Sequence, residues 1–143
     1  MGKPKVAFFD FAGCEGCQIE FTNYGDDAFL ELIKHVDVVE FREAMTETTT
    51  DPIDIAFVEG GFTREADRAR LERIRERAAI VIAYGQCAAG GGINGLKNHQ
   101  SDYSEFVYGE DADQPHLDSQ KAQPVFAAIK VDYFAYGCPV NKY

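Results

Sequence analysis

Lys5-Val6-Ala7-Phe8-Phe9-Asp10-Phe11-Ala12-Gly13-Cys14-Glu15-Gly16-Cys17 runs from an apolar strand, through a glycine turn, into two cysteines spaced C-x2-C. Lys5 to Asp10 reads as a buried strand, and Cys14 to Thr22 begins a helix. The same grammar recurs along the chain. Val36 to Phe41 is a second strand, and Ile53 to Val58 a third that ends in Glu59-Gly60-Gly61. Ala79 to Tyr84 is a fourth, followed by Gly85-Gln86-Cys87, and a last strand within Val125–Tyr136 precedes Cys138.

Between these strands lie helical patterns. Phe21, Tyr24, Ala28 and Leu32, with Phe29 and Ile33 on the neighbouring row, recur at helical spacing. Gly25 interrupts them, and Asp26 or Asp27 is expected to cap the second piece. A helix is expected over 64–78, with Thr63 as its N-cap and Leu71, Ile74 and Ala78 facing inward. Strand–helix alternation predicts an α/β fold: a flavodoxin-like, doubly wound, mainly parallel sheet. Residues 1–143 are expected to form one domain, with a polar surface excursion at about 97–124 that is long for a loop. After Cys138 the chain offers no closing helix, so another element or subunit is expected to cover that edge.

Composition narrows the function. Hydrophobic residues make up 45% of the chain, enough for a packed core. Asp and Glu number 24 against 14 Lys and Arg, a net charge of −10. That sign argues against nucleic acid or an anionic membrane surface as partner. The arginines at 68, 70, 73, 75 and 77 alternate with Glu65, Asp67, Glu72 and Glu76, the pattern of a solvated, ion-paired helix face. No apolar run approaches the roughly 18 residues of a membrane span, so no direct membrane insertion is expected. No apolar signal region or twin-arginine pair precedes the first strand, and the expected address is cytoplasmic. Structural disulfides are a poor default there.

All four cysteines, Cys14, Cys17, Cys87 and Cys138, fall just after strands. In a parallel sheet the carboxyl ends share one edge, so the thiols are expected to converge where open α/β folds bind ligands. The C-x2-C pair alone also suits zinc or a thioredoxin-like redox pair. The two remote single cysteines favour an iron–sulfur cluster over a zinc site built from two close pairs. Gly13, Gly16, Gly85, Gly90–Gly92 and Gly137 flank the ligands, as close backbone approach to an inorganic core requires. A flavodoxin-like FMN site would want Ser and Thr in the first loop instead of Cys14-Glu15-Gly16-Cys17. A zinc-stabilised interaction module is the non-redox alternative.

Phe9-Asp10-Phe11-Ala12-Gly13-Cys14-Glu15-Gly16-Cys17-Gln18, Val58-Glu59-Gly60-Gly61, Gly85-Gln86-Cys87-Ala88-Ala89-Gly90-Gly91-Gly92 and Tyr136-Gly137-Cys138-Pro139 together resemble the small subunit of nickel–iron hydrogenases. That family extends to the 20-kDa cluster subunit of respiratory complex I. The resemblance covers most of the chain apart from residues 97–124. It implies one 4Fe–4S cluster held by Cys14, Cys17, Cys87 and Cys138, beside a nickel–iron centre in a partner large subunit. The complex I relatives begin this site with two adjacent cysteines, so C-x2-C favours hydrogenase over a quinone-reducing subunit. Cysteines for further clusters are absent here, which resembles the short small subunits of cytoplasmic hydrogenases. Those pass electrons to diaphorase-like, ferredoxin-linked or heterodisulfide-reductase-linked partners. Glu15 resembles the methyl-viologen-reducing and sulfur-reducing kinds, and Tyr136 stands where many relatives have proline. Catalytic residues are expected in the partner, none in this chain.

Glu59 ends its strand on the cysteine edge. The resemblance implies a proton or interface role there; the alternative is a carboxylate that orients loop amides. Glu15 either tunes the cluster by its charge or faces solvent, the latter being expected. His35, His99 and His116 read as surface residues, and Phe8, Phe9, Phe11, Phe57 and Phe134 as core.

Overall fold

The computed structural model describes residues 2–23, 25 and 27–141, so Tyr24 and Asp26 lie outside the described residues. Five strands form the sheet: β1 (Lys5–Asp10), β2 (Asp37–Phe41), β3 (Ile53–Glu59), β4 (Ala78–Tyr84) and β5 (Tyr133–Ala135). Their order is β2-β1-β3-β4-β5, and every neighbouring pair is parallel. The α-helices are α1 (Gly16–Thr22), α2 (Ala28–His35), α3 (Glu65–Arg77), α4 (Gln86–Gly90) and α5 (Tyr103–Tyr108), with 3-10 helices at Ile93–His99, Gly109–Asp111 and Val125–Ala127. The doubly wound, parallel architecture is therefore as expected.

Apolar side chains alternate between the sheet's two faces. On one face Ala7, Phe9, Ala56, Val58, Val81 and Ala83 pack with Leu71 and Ile74 of α3. On the other, Phe8 stacks on Phe41 at 4.4 Å and on Phe57 at 4.9 Å, and meets Phe21 of α1 at 4.8 Å. Helices on both faces leave the strand ends as the natural place for a site.

Arg68 of α3 pairs with Glu65 of its own helix, whereas three other arginines pair with strand and loop residues. Arg70 reaches Asp10, Arg75 reaches Asp132, and Arg77 reaches Glu40. Arg70 also lies over Phe11, and Arg77 over Phe9. These side chains clamp α3 onto the sheet. Thr63 is not the N-cap; the cap is Arg64, and Asp67 accepts the backbone N–H groups of Thr63 and Arg64.

Two expectations change. None of α2 is buried, and Leu32 is 36% exposed, so the helical stripe is only half covered. Phe134 is exposed, because β5 is a three-residue edge strand with β4 as its one neighbour among the described residues. The excursion is tied to the body. It carries α5, Tyr103 donates to Ser119 O, Asn98 exchanges hydrogen bonds with Ala122, and Gln120 N–H donates to Thr63 O. Among the described residues no helix is long and apolar enough to cross a membrane.

The segment leading into β5 and on to Cys138 is anchored through Asp132, whose carboxylate accepts the N–H of Val81 at 2.8 Å and Arg75 at 2.5 Å. Those contacts, the backbone N–H first, hold its carboxyl down at about 2. A depressed folded pKa means that the unfolded chain binds more protons between the two values. The stability it supplies is thus complete above the ordinary carboxyl value of about 3.9 and is lost as pH falls towards about 2. Urea unfolding from about pH 5 to 2 is expected to show that loss in the wild type, and a smaller loss in Asp132→Asn.

Candidate metal centre

Register aligns the last residues of the strands: Asp10 with Glu59, Glu59 with Tyr84, and Tyr84 with Ala135. The loops beyond this row carry the cysteines. Cys14 comes from the β1–α1 connection, Cys17 from the first turn of α1, Cys87 from the first turn of α4, and Cys138 from the exit of β5. All four line one cavity of about 90 Å³, together with Glu59 and Tyr84. Cys17 is buried, Cys87 half-buried, and Cys14 and Cys138 are exposed at its mouth.

Long-range hydrogen bonds stitch the loops together. Glu59, 4% exposed, accepts the backbone N–H of Cys17 on Oε1 at 3.1 Å and that of Gln18 on Oε2 at 3.0 Å. Tyr84 donates its hydroxyl to Cys17 O at 3.1 Å. Asn94 Nδ2 donates to Ala12 O at 2.6 Å, joining the segment after Cys87 to the one before Cys14. Gln86 N–H donates to Gly137 O at 2.8 Å, joining the Cys87 and Cys138 loops.

The walls fit a bulky inorganic core. A Cβ on Gly85 would stand 2.5 Å from Cys17 Sγ, and one on Gly92 would stand 2.5 Å from Cys87 Sγ. Gly92 also has φ +55°, a left-handed conformation that side chains resist. Burial pushes the Cys17 thiol up to about 11, with Glu59 and Cys14 adding to the rise. Burial, then Cys14, raises the Cys87 thiol too. Thiols gathered in this way give up their protons to a metal. Among the described residues, no three His, Cys, Asp or Glu side chains converge tightly enough to hold one ion. A donor set of four thiols lining one cavity is one that an iron–sulfur core accepts.

Glu59 sits where the alternative reading put it, on the loop amides. Glu15 differs from expectation. It is half-buried with φ 59°. Burial, then Glu43 and Asp10, raises its pKa, while Arg42 opposes them. His35, His99 and His116 are exposed, as expected. Tyr84 and Asn94 were not legible as site residues; the one signal for Tyr84 is its place as the last strand residue before Gly85. Burial pushes the Tyr84 hydroxyl up to about 12, with Cys17 and Glu59 adding. A larger hollow of about 440 Å³ lies against α3, beyond reach of the thiols, and its Arg70 and Arg77 are engaged by Asp10 and Glu40.

Residues 14–143 match the model of a family described as NADH ubiquinone oxidoreductase, 20 Kd subunit. A subunit of the F420-non-reducing hydrogenase vhu of Methanocaldococcus jannaschii is 34% identical over 94% of this chain and 51% of its own length. The NAD-reducing hydrogenase HoxS subunit delta of Cupriavidus necator is 32% identical over 96% of this chain and 73% of its own. A chain of an NAD+-reducing NiFe-hydrogenase in the H2-reduced state superposes with a TM-score of 0.84 at 26% identity, covering 96% of this chain and 84% of that one. A NiFeSe hydrogenase chain of Desulfovibrio vulgaris Hildenborough, 19% identical with a TM-score of 0.69, shares the fold over 98% of this chain and 56% of its own. The chain spans about half the length of the first curated relatives it matches.

Proposed function

The chain belongs to the family of the NADH ubiquinone oxidoreductase 20 Kd subunit, and from that premise we propose that it is the electron-transfer small subunit of a cytoplasmic nickel–iron hydrogenase. It would hold one 4Fe–4S cluster on Cys14, Cys17, Cys87 and Cys138. The observation that carries this reading is the meeting of four thiols from three separate strand ends around one cavity, in a chain 32% identical to a hydrogenase delta subunit.

When bound, the cluster supplies one-electron storage and transfer. The chain's own residues hold and shield it. Glu59 and Tyr84 fix the backbone around Cys17, so the ligand stays aimed at the cavity. Asn94 and Gln86 keep the other ligand loops in place. Cys14 and Cys138 lie on the exposed side, where a partner's redox centre can approach. In this reading the nickel–iron centre and the chemistry of H2 belong to a partner large subunit. A diaphorase-like, ferredoxin-linked or heterodisulfide-reductase-linked subunit would exchange electrons on the far side.

The description of the matched family favours a second reading, a subunit that delivers electrons to quinone. Co-purification separates the two. A large subunit with two C-x2-C pairs and bound nickel supports hydrogenase, and one lacking both supports quinone reduction. For the cluster itself, anaerobically purified protein is expected to contain iron and sulfide at one cluster per chain, with a paramagnetic resonance signal on reduction. Cys87→Ala and Cys138→Ala are expected to lose most of that iron. Zinc without iron, or wild-type iron content in either variant, would overturn the assignment.

A further inference from the structure

We propose that Arg70 is a positioning residue for the cluster: its fixed positive charge cancels that of the buried Asp10 carboxylate and so raises the cluster's reduction potential. The inference rests on the cluster reading above and deepens it, by naming a residue of α3 that tunes the site.

Two acidic side chains are buried among the described residues, Asp10 at 9% exposure and Glu59 at 4%. They are neighbours: Asp10 ends β1, Glu59 ends β3, and the register pairs them. Paired residues of parallel strands project to the same face of the sheet, about 4.8 Å apart. Two carboxylates so placed set a negative field at the edge where the cysteines gather. Each is held differently. Glu59 accepts the N–H groups of Cys17 and Gln18, which bring no net charge. Asp10 is held by cations. Arg70 Nη2 lies 3.5 Å from its Oδ1, and Arg42 Nη1 lies 2.9 Å from its Oδ2.

Of the two arginines, Arg70 is the more firmly fixed. The Arg42 side chain is 75% exposed, so solvent screens its charge. Arg70 is 39% exposed, donates Nη1 to the Asp10 carbonyl oxygen at 2.7 Å, and lies 4.7 Å from the centre of the Phe11 ring. Those contacts run along Asp10 and Phe11, from which the chain turns towards Cys14. A planar guanidinium fork reaches the carbonyl and the carboxylate together, whereas an ammonium is a single point charge. The nearby Glu40 is engaged by Arg77, which leaves Arg70 to Asp10. Reduction adds one electron to the cluster; no bond forms or breaks, and no proton is taken up. A carboxylate close by opposes that added charge, and a cation that cancels the carboxylate favours it.

The test separates charge from contact. The full chain is purified anaerobically with its cluster, dithionite supplies the electron, and paramagnetic resonance follows the reduced cluster against potential. Arg70→Gln leaves Asp10 with the screened Arg42 alone. It is expected to lower the midpoint, leaving on the order of threefold to tenfold less reduced than oxidised cluster at the wild-type midpoint. Asp10→Asn is expected to raise the midpoint by a similar factor, and the double variant to return to the wild-type value, which the loss of a structural contact would not do. Arg70→Lys keeps the charge, loses the fork, and is expected to titrate close to the wild type. Iron content should stay at the wild-type level throughout. An unmoved midpoint in Arg70→Gln at full iron content overturns the tuning role, as does a lysine variant that falls as far as the glutamine one. Loss of iron in both arginine variants also overturns it, by making Arg70 part of the scaffold only. Wild-type protein without iron would overturn the cluster reading itself, which is a different failure.

Discussion

Gly60→Ala is expected to destabilise the protein by roughly 2–5 kcal/mol and to displace Cys14 and Cys17. Two costs add. Gly60 has φ +88°, a conformation that a residue with a Cβ adopts only under strain. The new Cβ would also stand 2.6 Å from the carbonyl carbon of Phe11, 2.9 Å from its oxygen and 3.0 Å from Ala12 N. All three atoms are backbone, so no side-chain rotation relieves the clash. The chain leaving β1 must shift, and with it the paired hydrogen bonds between Ala12 and Gly61. Cys14 is two residues further on. Urea unfolding is expected to show the lost stability, and iron analysis a depleted cluster. Stability within about 0.5 kcal/mol of wild type would mean that the Phe11 carbonyl moves aside freely.

Glu59→Ala is the second large effect, and its cause is electrostatic. The substitution leaves the N–H groups of Cys17 and Gln18 without their acceptor at a buried position. Each orphaned donor costs about 1–3 kcal/mol, so a loss of roughly 2–6 kcal/mol is expected. Glu59→Gln keeps one acceptor oxygen and should fall between. The pair of variants also separates the two roles read for this residue. If Glu59 serves to orient amides, the glutamine variant keeps most of its iron, and its hydrogen turnover in the assembled enzyme follows its iron content. If it carries protons, that variant keeps its cluster and loses turnover. Iron content measured beside turnover distinguishes these outcomes.

Much of this site was legible because its grammar is local. A parallel strand buried on both faces reads as a short apolar run, and a glycine turn follows it within a few residues. Cys14, Cys17, Cys87 and Cys138 each obey that rule, so their convergence on one edge follows from parallel pairing alone. The pattern misleads where the surroundings of a residue set its burial. Phe134 looks like a core residue until β5 proves to be a short edge strand. The arginines of α3 alternate with acids as a solvated face would, yet three of them find their partners, Asp10, Glu40 and Asp132, on other elements.

Local pattern alone was thus enough for the α/β class, the parallel sheet and the four thiols at its carboxyl edge. Those features depend on neighbours a few residues apart, which periodicity and turn chemistry record. What holds the thiols in place emerged in three dimensions only. Glu59 meets the Cys17 amide across 42 residues, Tyr84 meets the Cys17 carbonyl across 67, and Asn94 meets Ala12 across 82. A hydrogen bond needs its two atoms about 3 Å apart and suitably aimed. No local pattern encodes that, because it is set by strand register and by the paths of separate loops.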